Sequence, residues 1–257
     1  MNDYFKQNLV DVGAKNTPIS DKDKKPKTPP HVVFIGISGK KQVGKDTLAA
    51  MLGYILHSQG VNFEITSFAA PLKNLCTELF GIDSNIVYGD DKIKNSPCEV
   101  FWDNFPIDIR LNYSNEFDSD GKDLPRSGPM TVRELLQILG TDIFRSIDPD
   151  VWAKVPFRKE RDDRTKVVII TDCRFPNERH QIEKHGGIVI RLERNTGFTD
   201  LHNSETSLDN EVFDSTFYYE NNGTKDDLNV FAYKTLEILG LVKSYKDYFD
   251  GSLKNGE

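Results

Sequence analysis

Residues 31–47 read HVVFIGISGKKQVGKDT, an apolar run followed by a glycine loop and the start of a helical pattern. The spacing of Gly39, Gly44 and Lys45 is that of a phosphate-binding loop between a buried strand and a helix. In such a loop, backbone N–H groups and the positive end of the helix bind the phosphates of a nucleotide. A plain glycine turn before a helix is the alternative, but the apolar positions on both sides favour the phosphate-binding interpretation.

The loop departs from the usual pattern at one position. Asp46 stands where a magnesium-binding hydroxyl is expected, and the hydroxyl of Thr47 comes one residue later. Because Mg²⁺ prefers oxygen ligands, Asp46 is a candidate ligand, directly or through water. Lys45 is expected to reach the outer phosphates as a point charge.

The composition limits the class of protein. The chain has 257 residues, of which 37% are hydrophobic, and a formal net charge of −7. This charge argues against binding a nucleic acid polymer, because phosphate backbones require a broad basic face. No stretch has the length of a membrane helix, the first residues lack a secretory signal, and the 3 cysteines are too few for a disulfide framework or a zinc site. We therefore expect a soluble, cytoplasmic protein with no membrane partner.

Apolar strands alternate with helical patterns along most of the chain. The sequence predicts strands over residues 32–37, 62–68, 166–172, 188–192 and 215–219. It predicts helices over residues 45–58, after Pro71, from Thr131 to Gly140, over residues 178–184 and after Thr224. This alternation indicates an α/β fold with a mostly parallel sheet covered by helices on both faces. Ligands of such sheets lie beyond the carboxyl ends of the strands.

Three segments flank or interrupt this pattern. Residues 1–30 are polar, and we interpret them as a flexible leader, with a targeting or nucleic-acid arm as the alternative. Residues 84–130 have weak periodicity and are interpreted as a substrate-side insertion in a domain that spans residues 31–257. Residues 194–207 suit a lid with an arginine at its base, and a solvated loop is the alternative.

Charged residues stand where several predicted strands end. Asp172 could be a magnesium carboxylate or the cap of the next helix. Arg174 could clamp an acceptor phosphate or form a surface ion pair with Glu178. Lys73 could bind the same phosphate or be a solvated helix lysine. Trp152 could stack on a base, although core packing is the commoner use of tryptophan.

Taken in the order in which they occur along the chain, these motifs resemble those of the bacteriophage deoxynucleoside monophosphate kinases, a branch of the P-loop nucleotide kinase fold. The similar segments are SGKKQVGKDT at residues 38–47, APLK at residues 70–73 and VRELLQILGTD at residues 132–142. The similarity continues through Trp152, Asp172-Cys173-Arg174 with Glu178, Arg194, His202 with Glu205, and Asn221-Asn222-Gly223-Thr224. Gln42 departs from the family pattern, because a relative has a basic residue there.

The resemblance implies transfer of the ATP γ-phosphoryl group to a deoxynucleoside 5′-monophosphate, with Mg²⁺, for dNTP synthesis. The residues implied to contact ATP are Gly44, Lys45, Asp46, Thr47, Leu48, Asn222 and Gly223. Those implied to surround the acceptor are Lys41, Lys73, Arg133, Thr141, Asp142, Trp152, Arg174 and Glu178. The implied catalytic residues are Lys45, Arg174 and Arg194, and the implied metal ligands are Asp46 and Asp172. The family also implies a homodimer.

Two other functions fit the same residues. A kinase of another small phosphorylated metabolite would have the same loop and lid. A non-catalytic nucleotide-binding regulator would keep the loop without the chemistry. The cations Lys73, Arg133 and Arg174 favour an anionic second substrate, which a regulator would not need.

Overall fold

The computed structural model describes residues 32–159, 161, 164–195 and 206–244. The predicted leader over residues 1–30 lies outside the described residues. So does most of the predicted lid, including His202 and Glu205.

The described chain alternates strands and helices. The strands are β1 (Val33–Ser38), β2 (Phe63–Thr66), β3 (Pro97–Phe101), β4 (Pro129–Thr131), β5 (Val167–Cys173), β6 (Ile188–Glu193) and β7 (Tyr218–Glu220). The α-helices are α1 (Lys45–Ser58), α2 (Ala70–Phe80), α3 (Ser84–Val87), α4 (Asp91–Lys94), α5 (Ile107–Asn112), α6 (Val132–Gln137), α7 (Phe144–Ile147), α8 (Val155–Arg158), α9 (Pro176–Lys184) and α10 (Lys225–Ile238). A π-helical turn over Ile138–Ile143 joins α6 to α7, and short 3₁₀ turns cover Trp102–Asn104 and Ser215–Phe217.

The central sheet is parallel throughout. Its strands lie in the order β2-β5-β1-β6-β7, and each neighbouring pair runs in the same direction. Parallel strands of one sheet need crossover connections: α1 lies in the connection from β1 to β2, and α9 lies in the connection from β5 to β6. The predicted α/β fold with a mostly parallel sheet is confirmed.

Helices cover both faces of this sheet because the buried strands are apolar on both sides. On one face, Leu48 and Leu52 of α1 and Leu236 of α10 pack against Ile35 and Ile37 of β1. On the other face, Ile182 of α9 packs in a cluster with Phe34 of β1 and with Val168 and Ile170 of β5. Successive strand residues point to opposite faces, so one apolar run supplies both cores.

Residues 84–130 form their own small elements beside the sheet. Strand β3 pairs antiparallel with β4 in a separate two-stranded sheet. A third apolar cluster includes Trp102 and Met130 of this segment together with Leu72 of α2 and Leu135 of α6. The sequence shows weak periodicity here because α3, α4 and α5 are one or two turns long, which is too short for a helical pattern to repeat.

The predicted boundaries that differ most from the structure belong to one helix and one strand. The helix that begins after Thr131 does not end at Gly140, because the chain continues through the π-helical turn into α7. A Cβ at Gly140 would lie 2.7 Å from Cδ2 of Leu72, so this glycine allows close packing on α2. The strand predicted over residues 215–219 is only Tyr218–Glu220, since the chain before it forms a 3₁₀ turn.

The predicted helix starts at Thr131 and Thr224 are confirmed. The backbone N–H of Glu134 donates to Oγ1 of Thr131 at 3.2 Å, and Oε2 of Glu134 accepts the N–H of Thr131 at 2.8 Å. Asp227 and Thr224 form the same reciprocal pair at the start of α10.

Within the described ranges, we find no helix with the length and apolar character that crossing a membrane requires.

Candidate functional site

The carboxyl ends of the parallel strands meet at one edge of the sheet. The register places Ser38 of β1 beside Cys173 of β5 and Arg191 of β6. It also places Glu193 of β6 beside Glu220 of β7. The loops that follow these strands therefore share this edge, which we call the carboxyl edge.

The glycine loop over residues 39–44 has the backbone that its sequence indicates. Gly39 and Gly44 have φ angles of 148° and 102°, in the region that favours glycine. A Cβ on Gly39 would overlap the carbonyl oxygen of Leu192, and one on Gly44 would lie 2.6 Å from Nδ2 of Asn221. Both glycines are therefore required by space as well as by conformation.

Asn221 attaches this loop to the end of β7, and sequence reasoning gave it no role of its own. Its buried Nδ2 donates to the carbonyl of Val43 at 2.8 Å, and its backbone N–H donates to the carbonyl of Glu193 at 2.7 Å. The exposed residues Asn222 and Gly223 follow directly. An amide side chain directly after a strand at the carboxyl edge is the sequence signal that could have identified Asn221.

The predicted ATP-side residues fall into two groups. Lys45 donates its Nζ to the carbonyls of Gly39 and Lys40 at 2.7 and 2.6 Å, while Asp46 and Thr47 are exposed in the first turn of α1. Leu48 differs, because its side chain is fully buried in the core and its N–H donates to the carbonyl of Gly44 at 2.9 Å. The geometry therefore does not support Leu48 as a contact with ATP.

Four cationic side chains converge near the start of α1. Lys73 interacts electrostatically with Asp172, Asp46 and Arg174. Lys94 interacts with Lys73, Arg133, Asp46 and Arg174. The four cations, which we call the cation cluster, are Lys73, Lys94, Arg133 and Arg174. Sequence reasoning missed Lys94, because Lys92 and Lys94 both stand in a polar, weakly periodic segment and no local pattern distinguishes them.

Burial and like charge affect both lysines of the cluster. Burial lowers the pKa of Lys73, and the carboxylates of Asp172 and Asp46 oppose this shift. Burial, followed by the charges of Lys73 and Arg133, lowers the pKa of Lys94 to about 8. Partly desolvated cations that repel one another are stabilised by an added anion, so the cluster suits a phosphate.

Asp172 anchors the chain just before α2. Its Oδ1 accepts the N–H of Phe68 at 2.6 Å, and its Oδ2 accepts the N–H of Ala69 at 3.1 Å. The alternative that Asp172 caps the next helix is wrong, because its carboxylate accepts N–H groups from the chain before α2 and Glu178 accepts the N–H at the start of α9. Because α2 carries Lys73, Asp172 positions a member of the cation cluster.

The donor set suits a metal ion that arrives with a phosphate. Among the described residues, we find no group of three or more His, Cys, Asp or Glu side chains arranged to hold a metal. Asp46 and Asp172 both lie near Lys73, and each carboxylate oxygen of Asp172 accepts one backbone N–H and has a second lone pair. Mg²⁺ in nucleotide sites takes one or two carboxylates together with phosphate oxygens and water, which these residues fit.

Glu178 fixes the backbone at Arg174 by accepting its N–H. It is buried, and its Oε1 accepts from Arg145 at 3.0 Å while its Oε2 accepts the N–H groups of Arg174 and Phe175 at 2.8 and 3.1 Å. Burial and the charge of Asp172 raise the pKa of Glu178 to about 7, against the effects of the Arg174 N–H and the Arg145 guanidinium. This placement supports a positioning role and not direct contact with the acceptor.

The π-helical turn presents Thr141 and Asp142 at exposed positions. The hydroxyl of Tyr113, in the insertion, donates to Oδ2 of Asp142 at 2.7 Å. Trp152 is buried, and its Nε1 donates to the carbonyl of Gly140 at 2.8 Å. The core-packing alternative describes the surroundings of Trp152, and stacking on a base stays a prediction.

The chain on both sides of residues 196–205 is attached near the glycine loop. Arg194 is exposed just after β6, and the N–H of Asn195 donates to Oδ1 of Asn222 at 3.3 Å. Downstream, Asp209 pairs with Lys40 of the loop at 2.9 Å and with buried Arg191 at 3.3 Å. Arg194 therefore stands at the carboxyl edge, whereas the span it precedes lies outside the described residues.

Comparison of the sequence with known proteins identifies the family. Residues 110–230 match the sequence model of a family described as deoxynucleotide monophosphate kinase. A protein of Acanthamoeba polyphaga mimivirus, provisionally named a deoxynucleotide monophosphate kinase, is 30% identical over 190 residues, which cover 69% of this chain and 82% of that protein. The match thus spans most of the relative and most of the chain described above. This chain belongs to the deoxynucleotide monophosphate kinase family.

Proposed function

We propose that the protein transfers the γ-phosphoryl group of ATP to a deoxynucleoside 5′-monophosphate, which yields the deoxynucleoside diphosphate and ADP. The observation that carries the proposal is the placement of the glycine loop and the cation cluster at one edge of one sheet. The loop suits the phosphates of the donor, and the cluster suits the phosphate of the acceptor. Transfer between two phosphates requires that these sites adjoin.

On the donor side, the loop N–H groups and the start of α1 would surround the ATP phosphates. Lys45 would exchange the carbonyls of Gly39 and Lys40 for phosphate oxygens, which are stronger, charged acceptors. Asn222 and Gly223 would lie beside the adenine. Mg²⁺, when bound, would neutralise charge on the phosphates, and Asp46 and Asp172 are the residues that would hold it.

On the acceptor side, Lys73, Arg133 and Arg174 would hold the 5′-phosphate in line with the donor. Lys41, Thr141 and Asp142 remain proposed contacts with the rest of the acceptor nucleotide. Lys45 and Arg194 would offset the charge of the transferring group. The attacking oxygen belongs to a phosphate that is already anionic, so no general base is assigned.

A transfer assay tests this proposal. The purified full-length protein would be incubated with ATP, Mg²⁺ and each deoxynucleoside monophosphate in turn, and nucleotide products would be separated by chromatography. Formation of a deoxynucleoside diphosphate and an equal amount of ADP from at least one acceptor supports the proposal. Tight ATP binding without transfer to any nucleotide would contradict it and would favour a regulator or a kinase of another metabolite.

A further inference from the structure

The segment that carries Lys94 is attached to α6 on one side. Oδ1 of Asn95, the next residue, accepts from Nε of Arg133 at 2.8 Å. The carbonyl of Ser96 accepts the N–H of Val132, the first residue of α6, at 3.3 Å. Lys94 therefore precedes two residues that are bonded to the helix start where Arg133 lies.

The same segment is attached to α2 on the other side. The hydroxyl of Tyr88 donates to Oδ1 of Asn74 at 2.7 Å, and Nζ of Lys73 lies 4.7 Å from the centroid of the Tyr88 ring. Between these attachments, the N–H of Lys94 donates to the carbonyl of Asp90 at 3.0 Å. The backbone of α4 is thus fixed between two members of the cation cluster.

The two lysines of α4 have different surroundings. Lys92 is exposed, whereas Lys94 is half-buried and interacts electrostatically with Lys73, Arg133 and Arg174. Placing a fourth cation among three others is unfavourable unless an anion offsets the repulsion. The carboxylate of Asp46 acts on Lys94 in the opposite sense to these three cations, and a phosphate bound beside Lys94 would offset their repulsion further.

We propose that Lys94 binds the 5′-phosphate of the acceptor nucleotide together with Lys73, Arg133 and Arg174, so that the insertion over residues 84–130 contributes directly to substrate binding. This inference rests on the proposed function, because it assigns a ligand to the acceptor side of that site. The ligand is a dianionic phosphate monoester joined to a nucleoside. A nucleoside without the phosphate lacks the group that Lys94 recognises.

Lys94→Met tests the inference in the full-length protein, because methionine keeps much of the length of the side chain and removes its charge. Lys92→Met is the matched control on the same helix, and Lys94→Arg restores a cation. Initial rates would be measured against acceptor at saturating ATP and against ATP at saturating acceptor. Calorimetry would compare binding of the deoxynucleoside monophosphate with binding of the corresponding deoxynucleoside. Thermal unfolding would establish that each variant is folded.

Lys94→Met removes one charged hydrogen bond to the acceptor phosphate. We therefore expect kcat/KM for the acceptor and the affinity of the protein for the deoxynucleoside monophosphate each to fall about 10- to 100-fold. The KM for ATP and the affinity for the deoxynucleoside should stay within about twofold, Lys92→Met should match the wild type, and Lys94→Arg should recover part of the loss.

Two results would overturn the inference and leave the proposed function standing. One is a wild-type protein that phosphorylates deoxynucleotides while Lys94→Met does so equally well. The other is an equal loss of affinity for the nucleotide and the nucleoside. If Lys94→Met does not fold, the same comparison is made with Lys94→Gln. A wild-type protein that phosphorylates no deoxynucleoside monophosphate would overturn the proposed function, and this inference with it.

Discussion

Lys45 is held by its own loop. Its ammonium donates to the carbonyls of Gly39 and Lys40, so the residue is already positioned at the place where a nucleotide's phosphates would enter. We expect Lys45→Ala to reduce turnover by at least about 10³-fold, because the charge that stabilises the transferring group is lost. The helix and core behind it do not depend on this side chain, so the fold should remain.

Steady-state rates and thermal unfolding of the purified variant would check this prediction. A folded Lys45→Ala protein with nearly normal turnover would contradict the role given to the glycine loop.

Glu178 makes stability depend on pH. Burial and the charge of Asp172 raise its pKa from the ordinary 4.5 to about 7, so the folded protein binds a proton here that the unfolded chain releases. Between these two pKa values the folded state holds more protons, and the contribution of Glu178 to the free energy of unfolding falls as pH rises. Glu178→Gln does not titrate and escapes this loss.

Urea unfolding of both proteins between pH 4.5 and 7 would measure the difference. The stability of Glu178→Gln relative to the wild type should increase across this window by on the order of 2 kcal/mol. A difference that stays constant, or that moves in favour of the wild type, would show that the glutamate keeps its ordinary pKa.

At the scale of elements, Asp172 joins the end of β5 to the start of α2. Asp172→Asn keeps the shape of the side chain, but its amide group cannot accept the second N–H. We expect the free energy of unfolding to fall by about 1–3 kcal/mol, because a backbone donor loses its partner. Displacement of α2 should also raise the KM for the acceptor by roughly tenfold, since Lys73 moves with the helix.

Kinetics against each substrate and denaturant unfolding would test this, with a Mg²⁺ titration alongside. A variant whose stability and acceptor KM equal those of the wild type, with only the Mg²⁺ requirement increased, would assign Asp172 to the metal and not to α2.

Long elements could be predicted from sequence because their patterns repeat. Helix α1 begins and ends where its pattern indicates, at Lys45 and Ser58. Contacts between distant residues could not be predicted in the same way. Asp172 binds a backbone N–H 104 positions earlier, and Asn221 binds a carbonyl 178 positions earlier. The roles of these two side chains follow from the order of strands in the sheet, which neither local pattern contains.

At the scale of the whole molecule, the proposed donor and acceptor sides pack on different apolar clusters. The glycine loop and α1 belong to the cluster around β1, whereas Met130 lies fully buried in the cluster shared by the insertion, α2 and α6. Met130→Ala should destabilise the protein by about 2–5 kcal/mol through the cavity it leaves. The acceptor KM should rise, because Lys73 and Arg133 are carried by helices of that cluster, and ATP affinity should change little.

Calorimetric titration with each nucleotide, under conditions where the variant is folded, would separate the two effects. Equal loss of affinity for ATP and for the acceptor would indicate that the two clusters respond as a single unit.

The hydrogen bond from Asn221 to Val43 joins the two segments that are proposed to contact ATP. It fastens the chain proposed to border the adenine directly to the chain proposed to wrap the phosphates. A substitution at Asn222 that alters base preference would therefore also be expected to shift the glycine loop proposed to bind the triphosphate. Exchanging the proposed donor, ATP, for another nucleotide would therefore require changes in both segments together, because this hydrogen bond joins them.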